Sequence, residues 1–287
     1  MQLPTPKALV VLSGGQDSTT CLFWAVQKFG AENVYALTFD YGQRHAAELR
    51  ASIIVAGLAG VTARHHSVSL GERVLKSASP LTQLHNRLTQ YTDYSSMVEE
   101  VGGKVEATFI PLRNMLFLTI ACNRAISLDC DRVVIGISEE DSANYPDCTE
   151  PFLNSFERTA REASGNPALE ITAPLLHSSK AETCQLATTL PGCWEALAYT
   201  HTSYAGEFPP TDMNHANILR AHGFEQAGLP DPLWIRAGER GYTLPPTFNY
   251  DAVRKAFAAR KPADFGSGQW MRILYALTAL GGNNERG

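Results

Sequence analysis

A doubly wound parallel α/β sheet is predicted for this chain by three features of its sequence. Apolar runs of strand length alternate with segments of helix length. A Gly-Gly turn directly follows the first apolar run. Each later polar cluster stands just behind a strand candidate, where open α/β sheets bind their ligands.

The first run, Lys7-Ala8-Leu9-Val10-Val11-Leu12, has the β-branched content of a strand buried on both faces and no alternation that would mark a solvated side. The segment 17–29 follows as a helix, with Leu22, Phe23, Val26 and Phe29 near i, i+3, i+4, i+7 spacing. Further strands are predicted over 33–39, 62–68, 107–110, 131–137 and 168–172, with helices over 44–58, 112–127, 148–163 and 178–190. The stretch Leu70–Glu106 breaks the alternation. It is polar and without clear periodicity, so it reads either as an active-site lid or partner contact, the favoured reading, or as partly disordered. Near the end, helical segments are expected at about 250–260 and 268–280, carrying Trp270, Ile273, Leu274 and Leu277.

Composition narrows the function classes. With 287 residues and 44% hydrophobic content, the chain can bury a large core. No run of eighteen apolar residues is present, so no membrane span is expected, and Met1–Pro6 lacks the pattern of a signal peptide. Six cysteines without a CxxC pair read as reduced thiols, which together with these features points to a cytoplasmic enzyme. A net charge of −5 speaks against a large nucleic-acid surface.

The chemistry concentrates in Ser13-Gly14-Gly15-Gln16-Asp17-Ser18. Glycines let backbone N–H groups approach an anion, and the helix N-terminus behind them adds about half a positive charge. The Lys-Ser/Thr ending of a Walker loop is missing, and a carboxylate beside a polyphosphate makes sense as a Mg²⁺ ligand, here Asp17. Arg113 offers a planar fork to phosphate or carboxylate, or is a surface arginine at a helix start; Lys180 is a point charge for phosphate, or equally a solvated lysine.

SGG-x-DS after a first strand resembles the PP-loop of the ATP pyrophosphatases, whose fold is of the adenine nucleotide α-hydrolase kind. Phe39-Asp40-Tyr41-Gly42-Gln43-Arg44-His45, Ile110-Pro111-Leu112-Arg113-Asn114, Tyr145-Pro146-Asp147-Cys148, the Pro174-Leu175 and Lys180-Ala181-Glu182-Thr183 region, and Arg220 to Pro232 are similar to segments of the 7-cyano-7-deazaguanine synthase (QueC) family. Leu112 stands where that family usually has glycine. The resemblance implies ATP and Mg²⁺ as cofactors and adenylation of 7-carboxy-7-deazaguanine. Ser13, Gly14, Gly15, Gln16, Asp17, Ser18, Arg113 and Asn114 would bind ATP, with Asp17, Ser18, Arg113 and Lys180 as the catalytic set. Tyr41, Gln43, Arg44, Glu139, Asp141, Tyr145 and Asp147 would contact the flat base through edges and faces. It also leaves room for a homodimer.

The family holds a structural zinc on four cysteines, and the matching places here are Ser203, Thr211, Asn214 and Asn217. Hydroxyls and amides do not replace thiolates on a borderline-soft ion, so no zinc is expected. Residues 233–287, beyond the resembled core of 1–232, carry eight Lys/Arg against four Asp/Glu, a net +4 that leaves −9 for the rest. This extension either docks on its own acidic core or faces a partner. Altered cysteine positions and a basic tail together suggest a ligase with a changed acceptor, a protein amine such as an N-terminus, as in relatives from anti-phage CBASS-type operons. The runner-up is the ordinary synthase using ammonia, and a third reading is an inert nucleotide-binding regulatory subunit.

Overall fold

In the computed structural model, which describes residues 6–43, 47–71, 74–83, 85–139, 144–242 and Lys255, five parallel strands make one sheet. They are β1 (Ala8–Val11), β2 (Val34–Asp40), β3 (His65–Ser69), β4 (Arg132–Val134) and β5 (Glu170–Thr172), in the order β3-β2-β1-β4-β5. Val11 pairs with Leu37 on one side, and Val10 with Val134 on the other. The order reverses at β1, so the chain leaves β1 and β4 toward opposite faces and a crevice opens between their C-terminal ends.

Nine helices are described: α1 (Gln16–Phe29), α2 (Ala47–Leu58), α3 (Tyr94–Val101), α4 (Arg113–Ser127), α5 (Glu150–Ser164), α6 (Lys180–Thr189), α7 (Cys193–Leu197), α8 (His215–Gln226) and α9 (Pro232–Glu239). Successive strand residues face opposite ways. Ala8, Val10 and Leu12 therefore enter a core with Leu22, Phe23, Val55, Cys184 and Leu197, while Leu9 and Val11 enter another with Phe39, Phe117, Leu118 and Phe156. Burial on both faces is why β1 shows no alternation. All six cysteines are free and buried in these layers.

The end of β1 is tied across the sheet. Thr38 Oγ1 donates to the Leu12 carbonyl at 2.7 Å and lies 2.8 Å from His65 Nε2. One hydroxyl hydrogen serves one acceptor, so the imidazole donates from Nε2. Burial pulls His65 down to about 4, which keeps the ring neutral at neutral pH.

Two expectations change. Residues 107–110 form a turn and not a strand, because the Glu106 carboxylate takes the Thr108 N–H at 2.7 Å and the Thr108 hydroxyl as well. That local pairing supplies the backbone with an alternative to a sheet ladder. Within Leu70–Glu106, residues 94–101 form α3, opened by a capping box between Asp93 and Ser96 and closed by Gly102 at φ 52°. Tyr94, Met97, Val98 and Val101 repeat at i, i+3, i+4, i+7, a two-turn stripe set inside a polar stretch, and only Met97 of them is buried. The stretch is docked at both ends. Leu75 and Leu81 enter the core beside Tyr41, and Tyr94 stacks on His222 of α8 with centroids 3.6 Å apart. Helix α9 packs through Leu233, Trp234, Ile235 and Ala237 against Phe208 and Met213. The helical segments expected at about 250–260 and 268–280 lie outside the described residues, Lys255 apart.

Candidate active site

The loop between β1 and α1 has a geometry that only its sequence permits. Gly14 sits at φ 89°, and a Cβ there would stand 2.5 Å from the Glu48 carbonyl oxygen and 2.7 Å from the Ser52 nitrogen, so α2 lies directly on the loop. Across the crevice, a Cβ on Gly136 would be 2.9 Å from the Asp17 carbonyl carbon and the Ser18 nitrogen, so β4 presses on the start of α1. Ser13 and Ser18 cross the loop at 2.9 Å between hydroxyls, the Ser13 N–H donates to Ser18 Oγ at 3.2 Å, and Gly15 N–H donates to Ser13 Oγ at 3.3 Å. No side chain caps α1 at Gly15, which leaves its first turn suited to an anion.

Lys180 opens α6 and reaches back to Asp17, donating to both carboxylate oxygens at 2.9 Å. The lysine is mostly buried, and the carboxylate is one-third exposed. Gly223 of α8 makes room for this lysine, since a Cβ there would meet its Cγ at 2.2 Å.

A cavity of about 320 Å³ runs from this loop to a second wall. Ser13, Gly15, Gln16, Asp17, Ser18 and Lys180 line the first end; Tyr41, Gln43, Arg113, Asn114 and Tyr145 line the second. Arg113 is the first residue of α4, set by Leu112 in the left-handed region at φ 63°. Burial works against its charge, but Tyr41, Tyr145, Tyr204 and Asp147 around it more than offset that, so the guanidinium stays protonated. Phe117 stacks on Phe39 at 4.3 Å and supports Tyr41 from behind. The Tyr145 hydroxyl is held by Thr108 at 2.6 Å and Glu106 at 3.2 Å. Gln43 closes the turn after β2, accepting from Tyr41 N–H at 2.9 Å and donating to the Phe39 carbonyl at 3.1 Å.

Three expected site residues are placed elsewhere. Gly14 serves the α2 contact and is not among the lining residues. Glu139 accepts the Glu150 N–H at the head of α5 at 2.7 Å, and His177 Nδ1 stands 3.5 Å from its other oxygen. Asp147 is buried under the wall and accepts the Asn114 N–H at the head of α4 at 3.2 Å. Both carboxylates satisfy helix N-termini, a use that sequence spacing cannot distinguish from substrate contact. Arg44 and Asp141 lie outside the described residues. Conversely, Glu48, His201, Tyr204, His215 and Arg220 line the cavity without having been singled out for it. Their segments are polar and carry no spacing motif; Glu48, one turn after the Tyr41–Arg44 cluster, had the nearest thing to a signal.

The family profile described as "Queuosine biosynthesis protein QueC" matches residues 7–228. The chain is 43% identical to a 7-cyano-7-deazaguanine synthase of Chromobacterium violaceum over 236 residues, 81% of this chain and 94% of that one. It is also 43% identical to the enzyme of the same name from Gloeobacter violaceus, over 79% of this chain and 95% of the other. The chain belongs to the QueC family. Among solved structures, a 4-thiouridine synthetase–RNA complex with bound ATP aligns at 16% identity and a TM-score of 0.37, covering 89% of this chain and 54% of that one. A U34-tRNA thiolase of Methanococcus maripaludis aligns at 14% and 0.40, covering 92% and 76%. Likeness of that degree carries no argument about this site.

As a QueC chain, it departs from the resembled pattern at the four positions discussed above, and the structure gives those positions another task. Ser203 Oγ and Asn217 Nδ2 each donate to Asp212 Oδ1 at 2.7 Å, Asn214 Nδ2 donates to Asp212 Oδ2, and Asn217 Nδ2 also reaches the Asp212 carbonyl at 2.9 Å. Ser203, Asn214 and Asn217 are all buried. Thr211 is apart, donating to Glu207 at 3.1 Å on the surface. Thus a carboxylate, and not a cation, gathers three of the four, and the donor set does not fit zinc. Among the described residues no group of three or more His, Cys, Asp and Glu is arranged to hold a metal. Asp17, joined by nucleotide phosphates, does provide the hard oxygens that Mg²⁺ takes. No described helix is long and apolar enough to cross a membrane.

Proposed function

We propose that this QueC chain is a 7-cyano-7-deazaguanine synthase that adenylates 7-carboxy-7-deazaguanine with ATP and converts the activated acid, with ammonia, to the amide and then the nitrile. One observation carries the reading: a single cavity joins a glycine-built phosphate loop to a charged guanidinium flanked by tyrosines. Phosphate lies at the loop end, and Ser18 and the α1 N-terminus face its negative charge. Arg113 holds the substrate carboxylate or the α-phosphate through its fork, and the aromatic wall takes the face of a flat base. Asp17 would hold Mg²⁺, which would supply positive charge for the leaving pyrophosphate, and Lys180 stands beside it with its own.

The protein-amine acceptor of an anti-phage ligase falls behind this reading. It rested on remodelling at the four former cysteine positions and on the basic extension. The first is a closed hydrogen-bonded node on Asp212, which widens nothing, and residues 243–287 lie outside the described structure, Lys255 apart. Near-full-length relatives at 43% identity that bear the synthase name favour ammonia.

The test is product analysis by mass spectrometry with 7-carboxy-7-deazaguanine, ATP, Mg²⁺ and ammonium. Amide followed by nitrile is expected, with AMP and pyrophosphate released in step, and Asp17→Ala should lose both while remaining folded. Release of ADP and phosphate, or an acid that ammonia leaves unconverted, overturns the proposal.

A further inference from the structure

Amide formation makes a demand that adenylation does not. Ammonia attacking an acyl-adenylate must give up a proton as the C–N bond forms, or the tetrahedral adduct returns to reactants. The acceptor has to line the cavity, be unprotonated in the working state, and have an affinity for protons near neutrality.

Few described residues qualify. Among the described residues two carboxylates line the cavity, Asp17 and Glu48. Asp17 is engaged through both oxygens by Lys180 at 2.9 Å. Tyr41, Tyr145 and Tyr204 are pushed up by burial and stay protonated. His215 is pulled down by burial, with Glu106 and Lys180 acting on it in opposite senses, and holds a proton poorly. His201 has its Nε2 against the Ser203 carbonyl at 2.7 Å, so that nitrogen carries the hydrogen and donates.

Glu48 differs from all of these. It lies in the first turn of α2, where the helix end favours a charged carboxylate, yet burial pushes it up to about 7, with Arg113 pulling the other way. The charged and titratable groups that face it are Arg113 from α4, Tyr41 from the turn after β2, and Tyr204 from the segment before α8. Its backbone is seated on the phosphate loop, since the Glu48 carbonyl is what a Cβ at Gly14 would strike. Glu48 thus lines the cavity that joins the phosphate loop to Arg113, with its backbone seated on that loop.

We infer that Glu48 is the general base of the amide-forming step, taking the proton from ammonia as it attacks the carbonyl carbon activated at this site. The C–N bond forms, the bond from carbon to the AMP oxygen breaks, and AMP leaves with the electron pair. One hydrogen of ammonia goes to the Glu48 carboxylate, and the other two remain on the amide nitrogen. This assignment rests on the synthase reading above, but concerns a different half of the reaction.

The two halves separate in experiment. Substrate-dependent ATP–pyrophosphate exchange reports adenylation; single-turnover amide formation from the loaded enzyme, at constant free ammonia, reports the second half. In the wild type the second rate should rise with pH through about 7. Glu48→Gln, which keeps shape and hydrogen bonding, should lower it about 10²-fold and remove that rise, while exchange changes less than threefold. Glu48→Asp should recover part of the rate together with the pH dependence. An unchanged rate and profile in Glu48→Gln overturns the assignment. So does an equal fall in both halves, which would mean that Glu48 merely positions Arg113. Absence of exchange in the wild type would instead refute the synthase reading, and this inference with it.

Discussion

The phosphate loop and the 200–231 segment packed beside it are built by different means. At the phosphate end the chain relies on backbone. Gly14 and Gly136 let α2 and β4 close on the loop to distances that a single Cβ would prevent. Beside it, residues 200–231 rely on side chains. Asp212 gathers Ser203, Asn214 and Asn217, and Arg220 makes a two-armed pair with Asp231 at 2.7 and 2.8 Å while also donating to Thr200 and the Leu197 carbonyl. A backbone-made site tolerates no added atom at its glycines. A side-chain-made wall tolerates exchange of its members, provided every donor still finds an acceptor.

The sharpest way to break that contrast is at the buried ion pair, where both side chains are 3% exposed. Asp231→Ala leaves a guanidinium uncompensated and should cost about 3–5 kcal/mol, read by denaturant unfolding. A loss under 1 kcal/mol would mean that the 200–231 segment does not depend on this pair. Gly136→Ala comes next. It should reduce ATP–pyrophosphate exchange about 10²-fold through displacement of the α1 start, while keeping most of the melting temperature. Equal exchange in wild type and variant would show that the loop yields as readily as the wall. Asp212→Ala should then cost about 1–3 kcal/mol by stranding buried donors, with exchange intact in the folded fraction; Asp212→Asn, still an acceptor, should cost less.

The smallest effect separates sheet from site. His65→Leu removes the donor to Thr38 and should cost about 1 kcal/mol at neutral pH. The folded imidazole is pulled from 6.5 down to about 4. The unfolded chain therefore takes up its proton first on acidification, so what His65 contributes above 6.5 is lost as pH falls toward about 4. The gap in melting temperature between wild type and His65→Leu should shrink over that window. A constant gap would show that His65 is protonated in the fold.

The same contrast decides what was legible in the sequence. Backbone sites need glycine in fixed order after a strand, so Ser13–Ser18 and the parallel doubly wound sheet could be read directly. Helix α4 was expected over 112–127, and Arg113 stood out through its planar fork and the resemblance of Ile110–Asn114 to the family segment. The turn at 107–110 was misread because the carboxylate that displaces the ladder, Glu106, sits outside the run it alters. Helix α3 was missed although Tyr94, Met97, Val98 and Val101 repeat at helical spacing, because two turns of stripe are short against the polar stretch around them. Glu139 and Asp147 were expected to contact substrate because a cap and a ligand contact ask for the same residue type. Asp212 could not have been found at all, since its three donors come together only when residues 203 and 217 fold back on it.

Lys180 on Asp17 is, finally, an internal salt between the start of α6 and the phosphate loop. A cation arriving at Asp17 meets an ammonium already fixed at 2.9 Å on both oxygens, so arrival is an exchange of one counter-ion for another. If Asp17 takes Mg²⁺ as proposed, a bare divalent ion has to part the lysine from this carboxylate and brings it no anion in return. A divalent ion that comes escorted by a triphosphate brings the lysine a new anion in the same event. The pair thus makes metal and nucleotide a single ligand, and measured alone each should bind far more weakly than the two do together.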